Sequence, residues 1–424
     1  MTQKEALDLL QSGANVFLTG APGSGKTHTI GAFIDWLRLQ GRTPGITAST
    51  GIAATHLGGM TIHSWSGIGV KETLSPADRR GLAKTRRLVE RAQRTDVLII
   101  DEVSMLSSGT LQAVNEACKT LRDNKKPFGG LQIVLVGDFF QLPPVRRRDP
   151  AEVARPDLFG SAGGDTTIFA FSSPAWHEAD LQVCYLTEQH RHSDRNYLGI
   201  LSSIRDETVD DDEKQELATR FTQQAPKDVP KLFTHNRDVD KDNARLLDRL
   251  PGDAHRFKME WEGPTPLAKA LARGCLSPEN LELKVNARVM FTRNDFTAGF
   301  VNGTTGTVVE FQDDADGLPI VETDDGQFIE VEPAEWRMEE GDDENALIRQ
   351  VPLRLAWAIT VHKSQGMSLG SAYMNLSRTF EFGQGYVALS RVRTLDGLYL
   401  AGINDQALRV HPHIVDVDRS WRRE

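Results

Sequence analysis

Cysteine is scarce in this chain. Cys118, Cys184 and Cys275 are the only three among 424 residues, far apart and outside any C-x-x-C pair or Cys/His cluster. That spacing indicates neither a zinc site nor a disulfide framework and suits a reducing compartment. Long apolar runs are missing too, none approaching the roughly 18 residues that a membrane span needs. Met1-Thr2-Gln3-Lys4-Glu5 shows none of the basic-then-apolar order of a secretory signal. Short internal repeats and low-complexity tracts are absent as well. The expectation is an ordinary globular protein of two or more domains, placed in the cytoplasm, with no membrane partner.

Basic charge is also in deficit, with a net charge of −10. The deficit is local. Residues 310–345 hold fifteen Asp/Glu against the single Arg337, so the rest of the chain is net positive. Residues 71–94 carry eight Lys/Arg against three acids, and Arg146-Arg147-Arg148 adds a second cluster. A basic patch on an acidic chain is a footprint for a polyanion, although a solvated helix face reads the same way.

What is present is a phosphate cradle. Gly20-Ala21-Pro22-Gly23-Ser24-Gly25-Lys26-Thr27 follows the strand-like Val16-Phe17-Leu18-Thr19 and precedes Ile30, Phe33, Ile34 and Leu37 at helical spacing. Strand, G-x-x-x-x-G-K-T and helix together make a P-loop. The glycines let backbone N–H groups turn inward, and the helix start adds its positive dipole end. Lys26 would reach the β/γ-phosphates of ATP, and Thr27 would hold Mg²⁺. Gln3, on a helical segment 17 residues earlier, either bonds the adenine edge or sits exposed.

Further strands end in polar residues. Val97-Leu98-Ile99-Ile100 runs into Asp101-Glu102. Asp101 suits Mg²⁺ through its water shell, and Glu102 suits the base that activates water. Leu131–Val136 runs into Gly137-Asp138-Phe139-Phe140-Gln141, where Gln141 is placed for γ-phosphate and water. Ser49-Thr50-Gly51 at another strand end suits phosphate contacts. His63 and Trp65 either contact a base or sugar or belong to packing. His362-Lys363 at a later strand end suits backbone phosphates, and Arg391 in YVALSRV is a candidate finger toward the γ-phosphate.

Strand-like runs alternating with helices predict an α/β fold with a largely parallel sheet, its nucleotide at the strands' carboxyl ends. Residues 251–280 read as irregular. Asn302-Gly303, Asp316-Gly317 and Asp325-Gly326 between short strands predict hairpins, hence a small β-barrel or sheet whose acidic coat faces solvent.

GAPGSGKT, TASTGIAA, GGMTIHSWSGIG, LIIDEVSML, GDFFQLPPV, LAWAITVHKSQG and YVALSRV together resemble the ordered motifs of the Pif-type helicases of superfamily one, in the 5′→3′ branch. The resemblance runs from about Gln3 to Gly402. It implies two RecA-like parallel-sheet domains with ATP in the cleft between them. Residues 1–62 and 94–185 would form the first and 186–289 and 350–424 the second. A basic wedge-like insertion would occupy 63–93 and an acidic β-barrel-like insertion 290–349. The resemblance implies ATP-binding by Gln3, Gly20, Gly23, Ser24, Gly25, Lys26 and Thr27, and metal-holding by Thr27 and Asp101. Catalytic roles fall to Lys26, Glu102 and Gln141, with Arg191 and Arg391 as paired arginine fingers. Thr50, Gly51, His63, His362 and Lys363 would track single-stranded DNA. Two departures stand out: Arg191-His192 where the family usually has R-Q, and Asn286 in place of a glycine, a residue type that tolerates φ > 0. The implied activity is ATP-driven 5′→3′ translocation and unwinding on single-stranded, duplex or forked DNA, and the expectation is a monomer in solution. A non-unwinding ATP-gated DNA-binding translocase and a RecD-like subunit of a larger complex remain as other readings.

Overall fold

A computed structural model of the chain describes residues 1–69, 71–144, 168–188, 194–226, 229–233, 236–295, 297–300, 302–312, 317–339, 345–361, 364 and 369–422. The chain divides into two compact units. The first comprises Met1–Ser49, Thr61–Gln189 and Val410–Glu424, and the second Thr50–Met60 and His190–Arg409.

In the first unit the apolar runs become strands, the three central ones buried on both faces and the outer two partly exposed. They lie in the order Pro44–Ala48, Val97–Asp101, Gln132–Val136, Val16–Gly20 and Gln182–Leu186, every pairing parallel. A two-residue strand, Met60–Thr61, follows Pro44–Ala48 at the edge, where the chain re-enters this unit. Near-continuous Val, Ile and Leu is what a parallel strand covered on both sides requires. Ile30, Phe33, Ile34 and Leu37 of the helix Lys26–Leu39 and Ala6 and Leu10 of the helix Gln3–Gln11 are buried as their spacing predicts. Because all five main strands run the same way, Gly20, Ala48, Asp101, Val136 and Leu186 end at one edge of the sheet.

The basic segment forms two helices, Pro76–Lys84 and Arg86–Arg94. Ser75 and Asp78 make a capping box and Pro76 opens the first turn, which fixes where the helix begins. Leu82, Leu88 and Ala92 are buried, while Arg80, Lys84 and Arg86 are exposed. Arg79 pairs with Glu116 of the helix Ser108–Leu121 at 3.0 Å, which ties the segment to the sheet's flanking layer.

The last helix, Pro412–Trp421, belongs to the first unit, whereas the sequence reading assigned 350–424 to the second domain. Aromatic packing is the reason. Trp421 is 8% exposed, with ring centroids 4.9 Å from Phe17 and 5.6 Å from both Phe139 and Phe171.

The second unit has its own parallel sheet, ordered Ala358–Thr360, Lys231–Phe233, Ala372–Leu376, Leu398–Ile403. A separate antiparallel sheet runs Phe328–Glu330, Pro319–Thr323, Thr305–Phe311, Arg288–Phe291, Leu353–Leu355 around Val289, Phe291, Val308, Val321, Ile329 and Leu353. Asn286 enters it with φ +68°, in the left-handed region that asparagine tolerates. One expectation is corrected. Residues 251–280 are not irregular: they form strands His255–Lys258 and Glu260–Glu262 and the helix Thr265–Gly274. Their alternation is three or four residues long, too short to register without the partners Asn280–Leu283 and Asn345–Gln350. The run Leu353–Val361 holds two strands, Leu353–Leu355 and Ala358–Thr360. It breaks after Leu355, so that its first part completes the antiparallel sheet and its second the parallel one. No described helix is long and apolar enough to cross a membrane.

Candidate nucleotide-binding site

The strand Val16–Gly20 delivers the P-loop to the carboxyl edge of the first sheet. Gly23 and Gly25 have φ of +84° and +89°, a conformation that costs other L-residues about 1–2 kcal/mol. Gly25 caps the helix Lys26–Leu39 with no side-chain hydrogen bond, so the first turn keeps its N–H groups for an anion. Lys26 Nζ donates to Gly20 O at 2.7 Å and Ala21 O at 3.2 Å, folding the cation over the loop's own carbonyls. Thr27 is exposed.

Three buried serine hydroxyls along this edge have no hydrogen-bond partner among the described residues: Ser24 in the P-loop, Ser49 after Pro44–Ala48, and Ser104 beyond Glu102. A buried polar atom left unmade costs about 1–3 kcal/mol, so such atoms call for a polar ligand or water. An oxygen-rich phosphate group fits that demand.

Asp101 ends its strand, and its carboxylate accepts the Glu102 N–H at 2.8 Å. Burial pushes the Asp101 carboxyl up to about 6, against the lowering effects of that N–H and of Lys26. With the Thr27 hydroxyl it offers the hard oxygen donors that suit Mg²⁺. Glu102 sits at φ +52°, ψ +43°, rare for a residue with a side chain and concentrated at functional sites. Gln141 is 7% exposed, and its Nε2 donates to Asp138 Oδ2 at 3.4 Å. Asp138, itself 1% exposed, also accepts the Phe140 N–H at 3.2 Å and so shapes the turn that presents Gln141. Gln3 N donates to the Glu188 carboxylate at 3.0 Å, and the Gln3 side chain lies against Gly25.

The first unit therefore assembles Gln3, Gly20, Gly23, Ser24, Gly25, Lys26, Thr27, Asp101, Glu102 and Gln141 at one sheet edge. Thr50, Gly51 and Arg391 belong to the second unit instead. Thr50 caps the helix Gly51–His56 in the second unit, its Oγ1 accepting the Ala53 N–H at 3.2 Å. His63 lies half-buried on the helix Ile62–Ser66, and Trp65 is 3% exposed, which places Trp65 in the packing. Arg391 is 1% exposed, its guanidinium donating to Val387 O at 2.9 Å, Ser364 O at 3.4 Å and Ser390 Oγ at 2.8 Å within the second unit. Arg191, His362 and Lys363 lie outside the described residues. Sequence reasoning gave no role to Asp138, Ser104 or Glu188. Asp138 was recoverable as a turn residue, since an aspartate just after a strand favours an Asx turn to the N–H two residues on.

Residues 2–198 match the family model for the PIF1-like helicase, and residues 267–311 match that for the DNA helicase Pif1 2B domain. The chain is 40% identical to the ATP-dependent DNA helicase Pif1 of Psychrobacter sp. (strain PRwf-1), over 97% of this chain and 69% of that relative. This chain belongs to the Pif1 helicase family. Crystal structures of Pif1 from Bacteroides agree. The complex with ADP-AlF4 is 30% identical, covers 99% of this chain and 96% of its own, and has a TM-score of 0.84. The complex with ADP-AlF3 and ssDNA is also 30% identical, covers 100% of this chain and 97% of its own, and has a TM-score of 0.67. The α/β architecture is thus that of a Pif1 helicase, with RecA-like parallel sheets.

Proposed function

We propose that this chain is an ATP-dependent DNA helicase that moves 5′→3′ along single-stranded DNA and unwinds duplex ahead of it. The observation that carries the reading is the single sheet edge that gathers the P-loop, Asp101-Glu102 and Gln141 beside three serine hydroxyls without a partner among the described residues.

Lys26 gives up the Gly20 and Ala21 carbonyls and moves onto the β/γ-phosphates. Thr27 and Asp101 are the residues that would hold Mg²⁺, whose charge would offset that of the phosphate oxygens. Glu102 takes the proton of the attacking water, and Gln141 orients that water against the γ-phosphate. Arg191 and Arg391 are the transition-state arginines, a role worth about 10³–10⁵ in rate. Arg391 must exchange some of its bonds to Val387, Ser364 and Ser390 to act so. Under this reading the γ-phosphate favours one conformation and its loss another, which turns hydrolysis into stepping. Thr50, Gly51, His63, His362 and Lys363 contact the strand. The partners are single-stranded, duplex and forked DNA, engaged during replication, repair or recombination by a protein that is a monomer in solution and cytoplasmic, at the nucleoid if the cell is bacterial.

Nucleotide binding and DNA-stimulated ATPase, measured in the same preparations, test this site. Glu102→Gln is expected to bind ATP normally and to lose at least about 100-fold in turnover. Normal turnover in that variant removes Glu102 from its role.

A further inference from the structure

Gln3 carries a contact that none of the motifs explains. Its backbone is held at the start of its helix by the Thr2/Glu5 capping box and by the bond to Glu188. Its side chain lies over the P-loop, so close that a Cβ at Gly25 would meet its Nε2 at 2.0 Å. The two terminal atoms of the amide have different neighbours. One is 3.5 Å from the Ser24 carbonyl oxygen, an obligate acceptor, which assigns the amide nitrogen to that side. The other is 3.0 Å from His28 Nδ1. An amide oxygen has no proton to give, so His28 donates through Nδ1–H. His28 is exposed, in the first turn of the helix Lys26–Leu39.

We propose that His28 is a positioning residue for nucleobase choice, holding the Gln3 amide in the one orientation that reads adenine. The inference rests on the reading of Gln3 as the adenine-binding residue. A glutamine recognises adenine by accepting from N6 and donating to N7. Each Gln3 terminal atom keeps a bonding position for this after its contact with His28 or Ser24. Guanine carries an acceptor at O6 where adenine carries a donor, so the same fixed amide sets oxygen against oxygen. A free amide rotates to relieve that clash in part; a pinned one does not. Pinning therefore lowers the ordering cost of binding ATP and adds a repulsive element against GTP.

The test is steady-state hydrolysis of ATP and GTP by the full chain with saturating single-stranded DNA, comparing Gln3→Ala, His28→Ala, His28→Asn and His28→Asp. His28→Ala is expected to raise KM for ATP about three- to tenfold, the value of one hydrogen bond, with the loss concentrated in KM and KM for GTP moving under about twofold. His28→Asn carries an amide nitrogen near the Nδ1 position and is expected to restore KM. His28→Asp offers only acceptors, turns the Gln3 amide over, and is expected to bind ATP more weakly than His28→Ala. An equal rise in KM for both nucleotides, or no difference between His28→Ala and His28→Asn, overturns the proposal. Gln3→Ala separates the two levels. If it leaves the ATP/GTP ratio intact, the adenine reading fails and takes the His28 role with it. If it collapses the ratio and His28→Ala does not, the role of His28 alone falls.

Discussion

Asp101 shows what the site costs the folded chain. Burial raises its carboxyl from an ordinary 3.8 to about 6, so between those values the folded chain keeps a proton that the unfolded chain has lost. Its contribution to stability is then full below about pH 4 and is lost as pH rises through about 6. At neutral pH the nucleotide-free protein holds a carboxylate partly out of water. Asp101→Asn should therefore raise the melting temperature of the nucleotide-free protein at pH 8, by at least about 2 °C, while abolishing ATP hydrolysis. Differential scanning calorimetry of both proteins at pH 5 and pH 8 checks the sign, and a variant that melts below the wild type at pH 8 contradicts the account. The places of Lys26, at a helix start, and of Asp101 and Glu102, at a strand end, were legible in the sequence, because each adjoins a run of a single period. Their local state was not. A motif gives Arg391 its place in the chain, yet nothing in YVALSRV says that its guanidinium is held by Val387, Ser364 and Ser390.

At the level of elements, the P-loop strand and helix followed from composition because each obeys a single period over its length. The helix Pro412–Trp421 shows where that stops. Its apolar residues are readable, but their destination among Phe17, Phe139 and Phe171 is not, because those rings come from distant parts of the chain. Trp421→Ala should destabilise the first unit by about 3 kcal/mol, the usual cost of removing a large core aromatic. Urea unfolding followed by circular dichroism measures it, and a loss below about 0.5 kcal/mol would place the ring outside the core. The basic helices make a different demand. Arg80, Lys84 and Arg86 are exposed, and a helix that meets DNA loses counterion release when its charges are removed. Replacing all three by glutamate should lower duplex affinity and flatten its log–log salt dependence by roughly 0.9 for each phosphate no longer neutralised. An unchanged slope would make the segment a solvated face.

For the whole molecule, the sequence located two α/β regions and a β-rich one, since each has its own pattern of strand, helix and turn residues. Exact borders were less legible. Thr50–Met60 and Val410–Glu424 take their places through packing with residues far away in sequence. The charge distribution follows the same division, with acids gathered in 310–345 and bases in 71–94. That separation lets a chain of net charge −10 engage a polyanion. Direction of travel belongs to this scale alone, because no one residue encodes it. The measurement that tests the central claim most directly is strand separation of matched duplexes bearing a 5′ or a 3′ single-stranded tail, with Mg²⁺ and ATP, alongside Lys26→Ala. The account predicts unwinding from the 5′ tail only, lost in Lys26→Ala. Unwinding from the 3′ tail, or none from either tail while DNA-stimulated ATPase persists, would contradict it.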